Sequence, residues 1–138
     1  MAGFSTSLAN AIINNTLRQQ PMPVVRTVYF ALFTSDPTDS FSAGTEVVAP
    51  WYARRPAGAF SAPSLGQSFN TTQVLFSPVT GDPVTVTHVG LVEGSTANDV
   101  TATLLYSQPL VTAKILTLND IYVIDSTGTS GDWNQILL

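Results

Sequence analysis

Residues 27–33 read TVYFALF, and nearly every one is large and apolar. Alternate side chains of a strand point to opposite faces. Val28, Phe30 and Leu32 would therefore line one side, and Tyr29, Ala31 and Phe33 the other. A strand that is apolar on both faces is expected to be covered on both. Upstream the period changes. Leu8, Ala9, Ile12, Ile13, Thr16 and Leu17 recur at helical spacing, with Asn10, Asn14, Asn15 and Arg18 off the stripe. This predicts one helix over 5–19, capped by the hydroxyl of Ser5 or Ser7, which can accept a bond from an unpaired first-turn amide. Pro21 and Pro23 end it, because proline lacks the amide needed to continue and pushes its predecessor towards extended geometry. The helix stripe is the nearest cover for the second face of 27–33, with a neighbouring subunit as the alternative.

Beyond Pro23 the chain breaks into short β-type runs separated by turn residues. They fall at 27–33, 72–77, 84–92, 101–107, 114–118 and 121–125, with turns at Asp36-Pro37, Gly81-Asp82-Pro83, Gly94-Ser95 and Asn119-Asp120. The segment 46–55 contains Pro50 and reads as an edge strand or bulged loop. The pattern predicts a mainly β protein, an antiparallel β-sandwich of about six to eight short strands with one N-terminal α-helix. One domain spans 1–138, with the helix packed on or docking beside a sandwich over 24–138. No internal repeat or heptad pattern is visible.

Composition narrows the function classes. Hydrophobic residues make up 44% and charged residues only 10%, so surface self-repulsion is weak and permanent contact with another protein is compatible with the surface. The five basic residues, Arg18, Arg26, Arg54, Arg55 and Lys114, form no basic stripe, and with a net charge of −4 direct nucleic-acid binding is not expected. The absence of cysteine excludes disulfides and thiolate metal sites. The N-terminus lacks the basic start and apolar run of a cleavable secretory signal, so synthesis in the cytoplasm is expected. No stretch is long and apolar enough for a helical membrane span.

Chemistry is sparse. His88, the one histidine, stands on an apolar run and reads as a structural residue. A Ser-His-Asp triad would need it as base, and no G-x-S-x-G or H-E-x-x-H motif accompanies it. The carboxylates fall mostly in turns, where aspartate bonds its own backbone. The stretches DPTD and DSTGTSGD are mildly calcium-like without the spacing of a known calcium loop. No catalytic residue, metal ligand or cofactor site is expected. In APWYARRPAG, Trp51 and Tyr52 lie beside Arg54 and Arg55, which fits a core tryptophan with solvated arginines, a protein interface, or a sugar platform. Trp133, in the tail WNQILL, is expected to anchor the C-terminus to the core or to a neighbour.

The stretches MAGFSTSLANAIINNTLR, VYFALFTSDPTD, GTEVVAPWYARRP, FSAPSLGQSFNT and VTHVGLVEG, in this order, resemble a family of short virion proteins of tailed double-stranded DNA bacteriophages. The most specific pieces are ALFTSDPTD with the following GTEV and YAR, and THVGLVE. Two regions depart from the pattern, VVAPWYARR and the stretch from Lys114 to the C-terminus. The resemblance implies a structural virion component without catalytic residues, of the head-decoration (cement) or the minor-tail and tail-fibre kind. The first expectation is a capsid decoration protein, a small homo-oligomer such as a trimer, that binds the major capsid protein lattice on the head exterior. The alternative is a tail-associated module that contacts tail proteins and recognises a host surface glycan through Trp51, Tyr52 or Tyr29. A preference for the head rests on the lack of a coiled-coil or β-helical stem. Partner contacts are expected at Phe4, Ile12, Trp51, Arg54, Arg55 and Trp133, since aromatic and arginine side chains are enriched at interface centres.

Overall fold

The computed structural model describes residues 3–23, 25–41, 45–126 and the backbone of 135–137. The protein is mainly β and antiparallel. Its elements run β1 (Gly3–Phe4), α1 (Thr6–Arg18), β2 (Thr27–Phe33), β3 (Arg55–Pro56), β4 (Gln67–Phe69), β5 (Val74–Leu75), β6 (Val84–Gly94), β7 (Thr103–Leu116), β8 (Val123–Ile124) and β9 (Gln135–Leu137). A five-stranded sheet has the order β1-β7-β6-β2-β3, and two-stranded ribbons form from β4 with β9 and from β5 with β8.

The hydrophobic run at 27–33 lies next to the middle of the large sheet, paired along its whole length with β6 from Thr27↔Gly94 to Phe33↔His88. Both of its faces are covered, as its sequence requires. On one side Phe30 and Leu32 join Val86, Val89 and Leu91 of β6 and Leu110 and Leu116 of β7. Against them pack Val74, Phe76, Val79, Tyr122 and Ile124, from β5, β8 and the chain beside them, and Val47, Trp51 and Ala57. This is the sandwich-like layer, with a broad sheet on one side and a narrow ribbon with loops on the other.

The second face holds Tyr29, Ala31, Phe33, Val92 and Leu104, and its cover differs from the expected helix. Phe41, Ala97 and Ala102, contributed by two loops, close it. The helix is kept from that face by its anchor. β1 pairs with Tyr106 and Ser107 on the outer edge of β7, and the Ser5 amide donates to the Leu105 carbonyl at 2.8 Å, so α1 starts beside the sheet rather than on it. None of its residues is fully buried. The Ser5 hydroxyl caps it by accepting from the Leu8 amide at 3.1 Å.

The runs expected at 101–107 and 114–118 merge into one strand, β7, which passes through Pro109. Only residues 106 and 107 of β7 have β1 on their outer side, so at Pro109 the strand is an edge, where proline is tolerated. There the register shifts between Val86↔Lys114 and His88↔Pro109, and Val111 projects from the bulge almost fully exposed.

Candidate interaction surface

The segment 46–55 leaves β2 through an isolated bridge, Phe33↔Glu46, and crosses the sandwich layer before β3. Polar bonds clamp it. The Arg54 guanidinium donates to both oxygens of Glu46, Nε to Oε1 at 2.8 Å and Nη2 to Oε2 at 2.7 Å. The Tyr52 hydroxyl donates to Glu46 Oε1 at 2.7 Å and accepts from the Leu32 amide at 3.1 Å. Burial, then the Glu46 charge, pushes the Tyr52 phenol well above its ordinary value. Arg54 Nη1 reaches the Asp99 carbonyl at 2.9 Å, and its guanidinium carbon lies 5.7 Å from the centre of the Phe41 ring, a cation–π contact. One arginine thus joins the 46–55 segment to both loops that close the second core face.

A second cluster secures the same end of the sheet. Arg26 donates to Glu93 through its backbone amide, Nε and Nη2 at 2.9 to 3.0 Å, and to Asp99 Oδ2 at 2.9 Å. Asp99 also accepts from the amides and hydroxyls of Ser95 and Thr101, which fold the loop around it. These hydroxyls and amides, those of Thr101 first, hold the Asp99 carboxyl far below the usual carboxylate range. The Arg26 side chain does the same, less strongly, for Glu93. Groups with lowered folded pKa values stabilise the protein above their unfolded values and lose that contribution as pH falls through the folded ones. The melting temperature is therefore expected to hold at neutral pH and to decline below about pH 4, the ordinary carboxylate range. Asp99→Asn is expected to melt lower at neutral pH and to depend less on acid, read from thermal scans across pH. A variant with the wild-type acid profile would contradict this role.

These contacts place the expected interface residues. Trp51 is 7% exposed and belongs to the main core, its ring edge-on to Tyr52 at 5.9 Å. Arg54 is committed to Glu46, and Arg55 donates to the Ser77 hydroxyl. These three hold the segment to its own domain, and neither Trp51 nor Tyr29 stands free as a sugar platform, since both are buried. Phe4 and Ile12 lie apart from them, half-buried on the α1 side of the molecule; the Phe4 ring centre is 5.1 Å from that of Tyr106. Trp133 and most of DSTGTSGD lie outside the described residues. In DPTD, Asp36 Oδ1 accepts from the Thr38 amide at 2.8 Å, the bond of an aspartate turn.

His88 Nδ1 shares a hydrogen bond with its neighbour Thr87 Oγ1 at 2.8 Å. Among the described residues no group of three or more His, Cys, Asp or Glu side chains could hold a metal ion, and no helix is long and apolar enough to cross a membrane.

Large apolar side chains are exposed at other positions. Ile13 and Leu17, one turn apart on α1, are 50% and 78% exposed, and Val48 is 93% exposed. Val48, Pro50, Asp82, Pro83 and Val84 line an open cleft of about 440 Å³ at the start of β6. Ile13 and Leu17 were visible in the sequence as part of the helix stripe. Nothing in the local pattern distinguished Val48 from its buried neighbour Val47.

A comparison with curated proteins found no match. The family model described as Podophage GP4 fiber I protein gp80 matches residues 3–131, nearly the whole length. The chain belongs to that family, and with it to the structural proteins of the short-tailed phage virion.

Proposed function

We propose that the chain is a non-enzymatic structural subunit of the tail fibre apparatus, held in the virion by contacts with neighbouring tail proteins. The observation that carries this reading is the fibre-family match over residues 3–131. It favours the tail over the head exterior, and the capsid-decoration reading has no observation of its own. The described residues support a structural role. Their charged side chains tie loops to the sheet in the Arg26 and Arg54 clusters, and the His88 ring nitrogen bonds the hydroxyl of its own neighbour Thr87. Glycan recognition through Trp51 or Tyr29 is not part of the proposal, because both rings are buried. Dissociated phage particles, separated into DNA-filled heads and tail complexes, provide the test. The protein is expected in the tail fraction, and recovery with heads alone would refute the assignment.

A further inference from the structure

Helix α1 is built more firmly than its contacts with its own domain explain. A helix of 13 residues is marginal in water unless its apolar stripe is packed. Here the stripe is at best half-buried, and the last two turns leave Ile13 and Leu17 largely in solvent. Yet the end of the helix is fixed by side-chain amides. Asn15 Nδ2 donates to the Gln20 carbonyl at 2.9 Å, Gln20 Nε2 donates to the Arg18 carbonyl at 3.3 Å, and Gln19 takes a left-handed conformation at φ 56°. A rigid helix that presents an uncovered apolar pair is pre-organised for a partner, since little ordering remains to oppose binding.

The charges indicate which partner. Arg18 is the only charged residue among the first 25, and its guanidinium donates to the neutral Asn14 side chain at 3.1 Å. The cleft at the start of β6 is the complement. Its walls are apolar at Val48, Pro50, Pro83 and Val84, and its one charge is Asp82, which has no ion-pair partner among the described residues. The Asp120 carboxylate stands on the adjoining turn, whose Asn119 amide donates to the Val79 carbonyl. Leu17 and Val48 are both exposed in the same copy, so α1 does not fill its own cleft. The two surfaces are also far apart. Val84 opens β6, whereas Glu93, which lies beside Leu8 and Ala11, is nine residue steps further along the strand, roughly 30 Å away.

We propose that Ile13 and Leu17 of one copy dock in the Val48–Val84 cleft of a second copy, with Arg18 set against Asp82. The contact joins unlike surfaces, so a pair of copies still offers one free cleft and one free helix to further neighbours. Such head-to-tail contacts close into a ring or extend as a filament. The proposal is read from the chain's own surfaces and stands independently of its place in the virion.

Sedimentation of the purified full chain over a concentration series tests it. The wild-type protein is expected to grow in mass beyond a dimer as concentration rises. Leu17→Asp, with a broken helix surface, and Val48→Asp, with a broken cleft, are each expected to associate at least about tenfold more weakly. Mixed together, the two variants retain one intact pairing and are expected to stop at a dimer. Because the chain has no cysteine, Leu17→Cys mixed with Val48→Cys reads the same contact without adding charge, as a disulfide-linked heterodimer after mild oxidation. Wild-type protein that stays monomeric throughout would overturn the proposal. So would Val48→Asp assembling as well as wild type, which would put α1 against some other surface.

Discussion

Trp51→Ala combined with Arg54→Ala is expected to cost the protein its fold rather than a contact. Trp51 is 7% exposed within the main core, and truncating a buried tryptophan costs about 3–5 kcal/mol through lost burial and the cavity left behind. Arg54→Ala removes both bonds to Glu46 and leaves a carboxylate that is only 18% exposed without its guanidinium. A fully buried pair broken this way costs about 3–5 kcal/mol, and the partial solvation here reduces that to about 1–2 kcal/mol. The two residues are linked through Tyr52, whose ring packs edge-on to Trp51 and whose hydroxyl donates to the same Glu46 as Arg54, so their effects are not expected to add simply. Even so, the double variant loses a large part of the 5–15 kcal/mol or so that typically holds a domain folded. Urea denaturation of both single variants and the double variant measures this. An Arg54→Ala protein with the wild-type midpoint would contradict the clamp and return that arginine to the surface.

The second large effect is expected at Gly90. This residue lies in β6 opposite Ala31, under the core face closed by the loops. A Cβ placed on it would meet Phe33 Cε2 at 2.8 Å, the Tyr106 carbonyl oxygen at 3.0 Å and Leu104 Cδ1 at 3.2 Å. The backbone oxygen cannot withdraw without disturbing the β6–β7 pairing. Gly90→Ala is expected to lower stability by about 1–3 kcal/mol, the usual cost of overpacking, and Gly90→Val by more. Phe33→Leu withdraws the closest of the three atoms. Combined with Gly90→Ala, it is expected to cost less than the two changes measured separately, which thermal unfolding of the three proteins can show. Gly90→Val melting at the wild-type temperature would mean that β2 and β7 do not approach the strand as described.

These two sites also show how far the sequence could be read. The two-sided burial of β2 followed from seven residues without a polar face, and α1 followed from its stripe and the Ser5 cap. The cover of the second face did not follow. It comes from Phe41, Ala97 and Ala102, scattered through polar loops with no periodicity to mark them. The break expected before Pro109 failed because a proline's effect depends on whether its strand is an edge, which is a property of the sheet and not of the local sequence. Trp51 with Arg54 has the composition of an interface and of a clamp alike. What decides is Glu46, eight residues earlier, which reads as one more turn acid until the fold brings it to the guanidinium. Helical periodicity in turn marks an apolar stripe without saying what covers it. Ile13 and Leu17 are left largely exposed by the described residues.

The place of the protein in the virion is the central claim, and gold-labelled antibody against it, imaged on intact phage particles, addresses that place most directly. Label confined to the short tail and its fibres is the predicted result. Label spread over the head surface would contradict the fibre assignment and restore the decoration of the capsid lattice as the function to explain.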